Sequence, residues 1–514
     1  MKPSSRLHAF RRGLGLALAA SLLCAPALAT WSIVVVNTKT REVCVASATC
    51  LASFDLELYL PVLRVGQGAG AAQSLVDFGA VNRKKIWDGL IQNTPPAAIL
   101  VQLMSDPQFQ SRQYGIVDME HDPVTFTGTG AGAGKHGVAA VAGELRYAIQ
   151  GNVLTGPEVV LAAEVALLNT PGDLGQKVLA AMQAARELGG DGRCSCSASA
   201  PTSCGVPPPS FTKSAHVGFI VLSRIGDSDG ECTSMLGCTN GHYYLNLNVI
   251  GGVNSPDPVR QLQEGYDAWR EALSGEPDHL WSEIEPGAQS LVADGKSSTD
   301  VLIRLVDVDG VPLAQGGNVV LVHNDSGSAA VAQAGPVVDH GDGTYTFTLT
   351  AGTQPGEDTY VIHASKSLVG YTRLYPDLVM RVDPLVDLHC GYDQVSAAAG
   401  ADVPFVLNLG SALAGRPFLL LGTSAGTSPG VLFHGVPMPL NASRFLRFTV
   451  LSAGVGPLQG TAGILDPTGR AEAHFSAPPA FLLPFAGGRL DWSAIAKDSP
   501  LSSVTSAAGF DVVP

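Results

Sequence analysis

The chain changes its hydropathy pattern at residues 283–287, and this change limits the folds open to it. Before that point, apolar residues at helical spacing alternate with short β-branched runs; after it, strand-like patterns and Gly- or Pro-rich turns dominate. Alternation of the first kind is typical of a domain in which helices cover sheets. We therefore predict an α+β domain over residues 30–280, followed by two all-β sandwich modules over residues 287–383 and 386–514.

The first 29 residues predict a removable signal peptide. A basic stretch precedes an apolar run over residues 13–23 that is too short to anchor the chain in a bilayer, and Ala27-Leu28-Ala29 supplies small residues for cleavage. The basic residues are Lys2, Arg6, Arg11 and Arg12. We expect secretion and cleavage after Ala29, which makes Thr30 the first residue. Cleavage after Ala27 is the alternative, and the arginine pair leaves a twin-arginine export route open. No other segment predicts a membrane span.

The expected mature chain is acidic. Removal of four basic residues with the leader lowers the formal net charge from −14 to about −18. Nucleic acids and anionic lipids attract basic surfaces, so this charge argues against both as partners.

Eight cysteines remain after leader cleavage, and an even number in an oxidising compartment predicts paired thiols. Cys232 and Cys238 are expected to close a short loop, whereas spacing leaves the remaining connectivity open. A zinc site is the alternative for one cluster, although that cluster lacks a CxxC pair. Its ligands would be Cys194, Cys196, Cys204 and His216.

Within residues 30–280, two helical pairs separate strand-rich segments. Two β-branched runs around a polar turn predict a hairpin over residues 31–46. The predicted helices cover residues 80–92, 95–103, 157–168, 174–188 and 258–273, with Thr94 capping the second. Further strands are predicted at residues 114–117, 124–127, 138–142, 217–222 and 243–249. This order predicts a four-layer αββα sandwich rather than a parallel Rossmann sheet.

The two later modules show strand patterns of different composition. Strict alternation over residues 301–307 and the run Gly341-Asp342-Gly343-Thr344-Tyr345 predict a small sandwich. This run resembles the entry to the closing strands of invasin-type bacterial immunoglobulin-like modules, which are spacers or adhesive units. Residues 386–514 are rich in Gly, Pro, Ser and Ala, with strands predicted at 418–421 and 445–451. They resemble a C-terminal β-module appended to secreted bacterial proteins.

Thr30 is a candidate nucleophile because leader cleavage would expose its α-amine beside its own hydroxyl. An α-amine titrates at about 7.7–8.0, so a good fraction is unprotonated at neutral pH and can take the hydroxyl proton. Such a residue can attack an amide without a separate histidine.

Four blocks resemble the family called domain of unknown function 1028. They are residues 30–34, 66–73, 150–159 and 189–191, of which Gly-Asn-Val-Leu-Thr-Gly-Pro in the third is the most specific. The resemblance implies a fold similar to N-terminal nucleophile (Ntn) hydrolases, and thus the αββα sandwich. After Arg193 the sequence departs from the family pattern, since a Cys/Ser/Pro-rich insertion follows.

Other residues could support a reaction at Thr30. Asn152 and Gln73 lie beside glycines at predicted strand ends, where their amides could stabilise an oxyanion, and the backbone at Gly151 could bind substrate. Asp191 and Arg193 could orient the α-ammonium or a substrate carboxylate. The competing interpretations are structural: a satisfied turn at Asn152, a buried amide at Gln73, and a capping role for Asp191.

Three other motifs do not support chemistry. Residues 128–136 lack the first glycine and the Ser/Thr of a phosphate loop, and residues 66–71 open no helix as a dinucleotide fingerprint would. Residues 118–122 are better explained as a charged turn than as a metal site. No metal or cofactor is predicted.

These observations leave two functions open. The first is an exported Ntn-type amidohydrolase that uses Thr30 on a small-molecule or peptide amide. The second is a non-catalytic secreted or surface protein, in which a degenerate hydrolase-like domain binds cell-surface or cell-wall material.

Overall fold

A computed structural model describes residues 30–326, 331–366, 370–497 and 502–514. The predicted signal peptide lies outside these residues. The described residues divide into two compact units, which we call unit 1 (up to residue 263) and unit 2 (residues 264–514).

Unit 1 mixes strands and helices, as the periodicity predicts, and it also contains strands over residues 61–64, 68–73 and 145–152 that the predicted segments do not cover. Its strands are β1 (Thr30–Asn37), β2 (Val43–Thr49), β3 (Pro61–Arg64), β4 (Gly68–Gln73), β5 (Gln113–Asp118), β6 (Val124–Thr127), β7 (His136–Ala142), β8 (Leu145–Asn152), β9 (Val217–Ser223) and β10 (Leu245–Ile250). Its helices are α1 (Leu56–Tyr59), α2 (Val81–Ile91), α3 (Pro96–Leu103), α4 (Glu158–Asn169), α5 (Leu174–Glu187) and α6 (Gly192–Ser195), while α7 (Pro258–Ala272) runs past the boundary between the units.

The strands of unit 1 form two sheets. One has the order β10-β9-β2-β1-β8-β7, and the other has the order β3-β4-β5-β6. The predicted hairpin is confirmed, because β1 and β2 pair antiparallel. Apolar side chains of both sheets share one core, in which Val34 and Phe219 of the first sheet join Val117 of the second. Nearly continuous apolar residues in β1 and β2 are typical of strands buried on both faces.

Each sheet also packs against a pair of helices. Helices α4 and α5 contact the larger sheet, and α2 and α3 contact the smaller one, where Trp87 and Ile99 join its core. The predicted capping role of Thr94 is wrong: Pro95 occupies the N-cap of α3 and makes no side-chain hydrogen bond to it. The Thr94 backbone N–H instead donates to the carbonyl of Gly89 at the end of α2.

Unit 2 is built almost entirely of strands after α7. The first group comprises β11 (Glu283–Pro286), β12 (Ser290–Val292), β13 (Ser298–Arg304), β14 (Val319–Asn324), β15 (Ala332–Ala334), β16 (Val338–Asp339), β17 (Thr344–Ala351), β18 (Gly356–Ser365) and β19 (Thr372–Asp383). They form two sheets, β11-β13-β17-β15 with β16 beside β17, and β12-β19-β18-β14. The alternating strand β13 points Val301 and Ile303 into the core that they share with Phe347.

The second group of unit 2 comprises β20 (Leu388–Cys390), β21 (Gln394–Ser396), β22 (Ala401–Asn408), β23 (Pro417–Thr423), β24 (Val431–Phe433), β25 (Val436–Met438), β26 (Leu458–Gln459), β27 (Ala462–Ile464), β28 (Arg470–Ala477), β29 (Arg489–Lys497), β30 (Ser502–Val504) and β31 (Ala508–Val513). Its two larger sheets have the orders β20-β22-β28-β26 and β21-β31-β29-β23-β27, with β30 beside β29. Their shared core is aromatic and contains Phe405, Phe475 and Trp492.

The predicted strand over residues 445–451 is wrong, because this segment is helix α8 (Arg444–Leu451). The Ser443 side chain caps the helix by accepting a hydrogen bond from the backbone N–H of Leu446. Phe445, Leu446 and Thr449 are buried on one side, which is the spacing of a helix rather than of a strand.

Three disulfides cross-link the described part of unit 1. They join Cys50 to Cys194, Cys196 to Cys204, and Cys232 to Cys238. The last was predicted. The alternative prediction of a zinc site is wrong, because Cys194 is bonded to Cys50 and Cys196 is bonded to Cys204. The expectation that every cysteine is paired is also wrong: among the described residues, Cys44 and Cys390 are buried free thiols.

Candidate active site

Thr30 is the first residue of β1 and the first described residue of the chain. It is 3% exposed and pairs in register with Asn152, the last residue of β8. The structure therefore brings together two predicted site residues that are far apart in sequence. The antiparallel pairing of β1 with β8 is the cause.

Gln73, the last residue of β4, joins the second sheet to this corner. Its Nε2 donates to the Thr30 carbonyl at 3.1 Å and to Gln113 Oε1 at 2.7 Å. Gln113 Nε2 in turn donates to the carbonyl of Gly151 at 3.0 Å. The two N–H groups of Gln73 are thus engaged, whereas its buried Oε1 has no hydrogen-bond partner among the described residues.

Asn152 Nδ2 donates to the Ala131 carbonyl at 2.9 Å and lies 3.3 Å from Ser74 Oγ. Ser74 and Val153, which directly follow Gln73 and Asn152, have φ angles of +81° and +54°. Non-glycine residues rarely adopt such angles, and strained backbone concentrates at functional sites. No local pattern in the sequence indicates Ser74 or Gln113, because their roles depend on which strands become neighbours.

Asp191 and Arg193 form a second cluster. Asp191 is fully buried and caps α6, and its Oδ1 accepts from the backbone N–H and Nε of Arg193. Its Oδ2 accepts from Arg193 Nη2 and from the backbone N–H of Cys50, each at 2.8 Å. Asp191 therefore has a capping role, at the start of α6 rather than at the exit from α5. The carboxylate also fixes the end of β2 to helix α6, which carries Arg193.

A small pocket lies beside Thr30. It is lined by Thr30, Leu51, Phe54, Leu56, Tyr59, Leu60, Ala72, Gln73, Ser74 and Val76. Most of these side chains are apolar. The rings of Phe54 and Tyr59 stack with centroids 5.3 Å apart, and Phe78, which is 60% exposed, meets Tyr59 edge-on at 5.2 Å.

Glu57 on α1 is a buried acid that the sequence did not single out. Burial raises its pKa to about 7; a hydrogen bond from Asn246 Nδ2 at 2.8 Å opposes this shift, and the charge of Asp55 adds to it. The neighbouring residue Leu56 lines the pocket, so an acid that titrates near neutrality lies on the helix that borders Thr30.

Two of the motifs that the sequence analysis judged not to support chemistry have structural roles. Lys135 Nζ donates to the carbonyls of Gly128 and Thr129, so this loop is held by its own lysine. Asp118 Oδ1 accepts from the backbone N–H groups of Glu120 and His121, which confirms a charged turn.

One ring nitrogen of His216 lies within 4.8 Å of the sulfurs of Cys50 and Cys194. Those sulfurs form a disulfide and offer no thiolate to a metal. Burial, followed by the charge of Lys213, lowers the pKa of His216.

Comparison with known proteins supports two of the three resemblances seen in the sequence. Residues 30–201 match the model described as "Family of unknown function (DUF1028)", and residues 278–365 match "Invasin, domain 3". No functionally curated protein shows significant similarity to the chain.

Three solved structures illustrate the range of similarity. A DUF1028 protein from Silicibacter pomeroyi is 17% identical with a TM-score of 0.33, covering 47% of this chain and 88% of that one. The adhesin InvE from Yersinia pseudotuberculosis is 16% identical with a TM-score of 0.19, covering 46% and 61%. The Escherichia coli adhesin FdeC is 11% identical with a TM-score of 0.19, covering 78% and 91%.

Proposed function

We propose that this chain, which joins a DUF1028 region to an invasin-type domain, is an exported amidohydrolase that uses Thr30 as its N-terminal nucleophile. The domain combination fits a surface or binding protein, and with the disulfides it fits a location outside the cytoplasm. Among the described residues, no helix has both the length and the apolar character to cross a membrane. Beyond a surface or binding protein, we propose a catalytic role for Thr30.

The observation that carries the proposal is the position of Thr30. The first residue after the predicted cleavage site starts a buried strand, lines a pocket, and is held through its carbonyl by Gln73. An ordinary processed terminus has no need of this environment, because chain ends are usually exposed and loosely held. The two left-handed residues beside the pocket corner add support.

The proposed reaction begins once cleavage after Ala29 frees the α-amine. The amine takes the hydroxyl proton, directly or through one water, as Thr30 Oγ1 bonds to the amide carbon. The tetrahedral oxyanion is stabilised by backbone N–H groups and by Asn152 Nδ2, which would exchange its 3.3 Å hydrogen bond to Ser74 Oγ for one to the oxyanion. The C–N bond then breaks as the proton passes to the departing nitrogen, and water hydrolyses the resulting ester.

We also propose that unit 1 is a four-layer αββα sandwich. Two sheets share a core, and each packs against its own helix pair, which supports the αββα arrangement of Ntn hydrolases. Asp191 is proposed to position Arg193 toward the site, because it binds the guanidinium through both carboxylate oxygens.

A test compares chains that differ only at the N-terminus. A removable fusion would yield a protein starting at Thr30, a second starting with Leu28-Ala29-Thr30, and Thr30→Ala and Thr30→Ser variants starting at residue 30. Assayed on a panel of chromogenic amides, only the chain starting at Thr30 and its Thr30→Ser variant should turn over. Equal activity in the extended chain or in Thr30→Ala would refute the proposed nucleophile.

The second candidate function is a non-catalytic adhesin or binding protein. It is favoured by the match of residues 278–365 to the model described as "Invasin, domain 3". The resemblance to invasin-type modules implies a spacer or an adhesive unit. In this case the protein would bind cells or isolated cell-wall material equally well with Thr30→Ala. Inactivity of every chain on every amide, together with such binding, would decide for this function.

A further inference from the structure

Strand β7 is the outer strand of the larger sheet in unit 1, and its free edge lacks the features that block pairing. Its residues, His136–Ala142, pair with β8 in unbroken register and include no proline, lysine or acidic residue. Among the described residues β7 makes hydrogen bonds only to β8, except that the His136 carbonyl also accepts from Gln113 Nε2. Proteins usually block a sheet edge with proline, charged side chains or bulges, so β7 is open to another strand.

Strand β10, at the opposite edge of the same sheet, is protected. Asn246 and Asn248 of β10 donate from Nδ2 to the carboxylates of Glu57 and Asp55 at 2.8 and 2.9 Å. Polar and charged groups at a sheet edge disfavour pairing with a second strand. Of these two edges, β7 is therefore the one suited to association.

Helix α4, which packs against β7 and β8, adds an apolar surface beside this edge. Leu161, Val165 and Leu168 are 44%, 60% and 37% exposed, and their spacing places them on one side of the helix. On β7 itself, Val141 is 47% exposed. Exposed apolar side chains thus occur on both elements at this end of the sheet, which is typical of an interaction surface.

The hairpin geometry determines which backbone groups of β7 face outward. The two-residue turn of Gly143 and Glu144 joins β7 to β8, with Gly143 at a φ angle of +58°. In turns of this kind the flanking residues, here Ala142 and Leu145, form a hydrogen-bonded pair. Hydrogen-bonded pairs alternate along an antiparallel ladder, so every second residue of β7 directs its N–H and C=O groups away from β8. These outward residues are Gly137, Ala139 and Val141.

We propose that this edge is the interface of a homodimer, in which two copies of the chain pair β7 antiparallel about a twofold axis at Ala139. The outward residues of the two copies then face one another in three pairs, each exchanging two backbone hydrogen bonds. Because α4 lies over both β7 and β8, the two α4 axes would be two strand spacings apart, or ~10 Å, which is close to the distance between packed helices. The dimer would therefore also bury the apolar side of α4. This proposal does not depend on a catalytic Thr30.

A second copy suits this surface for reasons of charge and area. The chain has a net charge of −14, so two copies repel each other wherever acidic side chains meet, but β7 carries none. Together with the apolar side of α4, the edge would bury roughly 500 Å² on each copy, or about 1,000 Å² in total, which is the lower limit for a specific interface. We therefore expect a reversible dimer with a dissociation constant in the micromolar range.

The first experiment is sedimentation velocity of the chain starting at Thr30 from about 1 to 100 μM, over which we expect a shift from monomer to dimer. Val141→Lys/Val165→Lys adds charge to both exposed parts of the interface and should weaken association at least about tenfold. Ile250→Lys is the matched control, because Ile250 is 53% exposed and ends β10 at the other edge of the sheet. This control should associate like the unsubstituted chain.

Hydrogen exchange read by mass spectrometry tests the pairing without any substitution. Raising the concentration of the unsubstituted chain should slow the exchange of up to three amides in peptides from β7, because the outward N–H groups become hydrogen-bonded. Peptides from β10 should exchange equally at both concentrations.

Monomer at every concentration would overturn the proposal. A dimer that resists Val141→Lys/Val165→Lys, or that Ile250→Lys weakens to the same extent, would also overturn it, because the interface would then lie elsewhere. A dimer without added protection in β7 would overturn pairing through this edge.

Discussion

Replacing both Cys50 and Cys194 with serine is expected to destabilise unit 1 far more than replacing both Cys196 and Cys204. The two disulfides are well matched for this comparison. Both have Cα atoms 5.7 Å apart, and Cys194 and Cys196 are separated by a single residue. They differ in the length of the loop that they close, because their sequence separations are 144 and 8.

The magnitude follows from chain entropy. A cross-link restricts the unfolded chain in proportion to the logarithm of the loop length, which gives about 5 kcal/mol for Cys50–Cys194 and about 2.5 kcal/mol for Cys196–Cys204. Their difference of about 2.5 kcal/mol is the more dependable figure, because similar serine pairs replace both disulfides.

The assay is urea unfolding of the chain starting at Thr30 and of its two double variants. Pulsed hydrogen exchange read by mass spectrometry would follow peptides from β1 and β8, so the transition of unit 1 is observed without interference from unit 2. Equal losses for the two variants, or a larger loss for Cys196→Ser/Cys204→Ser, would refute the loop-entropy reasoning.

Three further predictions use other parts of the chain. Glu57→Gln should stabilise unit 1 at pH 8 by up to about 3 kcal/mol and change its stability little at pH 4.5. Burial raises the pKa of Glu57 to about 7 in the folded state, so the folded protein loses stability as the pH rises from the pKa of the unfolded state to about 7. Urea midpoints that shift equally at both pH values would contradict this. Ser443→Ala should cost unit 2 about 1 kcal/mol through loss of the α8 cap, whereas Ser443→Asp should cost little, as thermal unfolding would show. Asn152→Ala should lower kcat of the Thr30 reaction roughly 100-fold with a smaller change in KM, and an unchanged kcat would remove Asn152 from oxyanion stabilisation.

The sequence predicted the elements of unit 1 well because their signals are local. The β1–β2 hairpin and helix α5 follow from local patterns. Helix α5 is terminated by Gly189 and Gly190, which follow its C-cap with φ angles of +101° and +55°. The strand predicted over residues 445–451 was wrong because a short run of aromatic and β-branched residues fits either a strand or a buried helix. Ser443 was the local signal that could have decided it.

The candidate site was predicted only in part because its contacts are long-range. Thr30 and Asn152 were both selected from local sequence, yet their pairing arises from sheet order. The link from Gln73 through Gln113 to Gly151 requires β4, β5 and β8 to lie close together, which no local pattern encodes. The disulfide partner of Cys50 could not be predicted for the same reason, because Cys194 lies 144 residues away in the sequence.

The intact mass of the mature protein recovered from a secreting host tests the central claim most directly. The proposed mechanism requires a free amine on Thr30, so the measured mass should correspond to residues 30–514. A mature chain that begins at Leu28 or at any other residue would leave Thr30 without its base and would contradict the catalytic proposal.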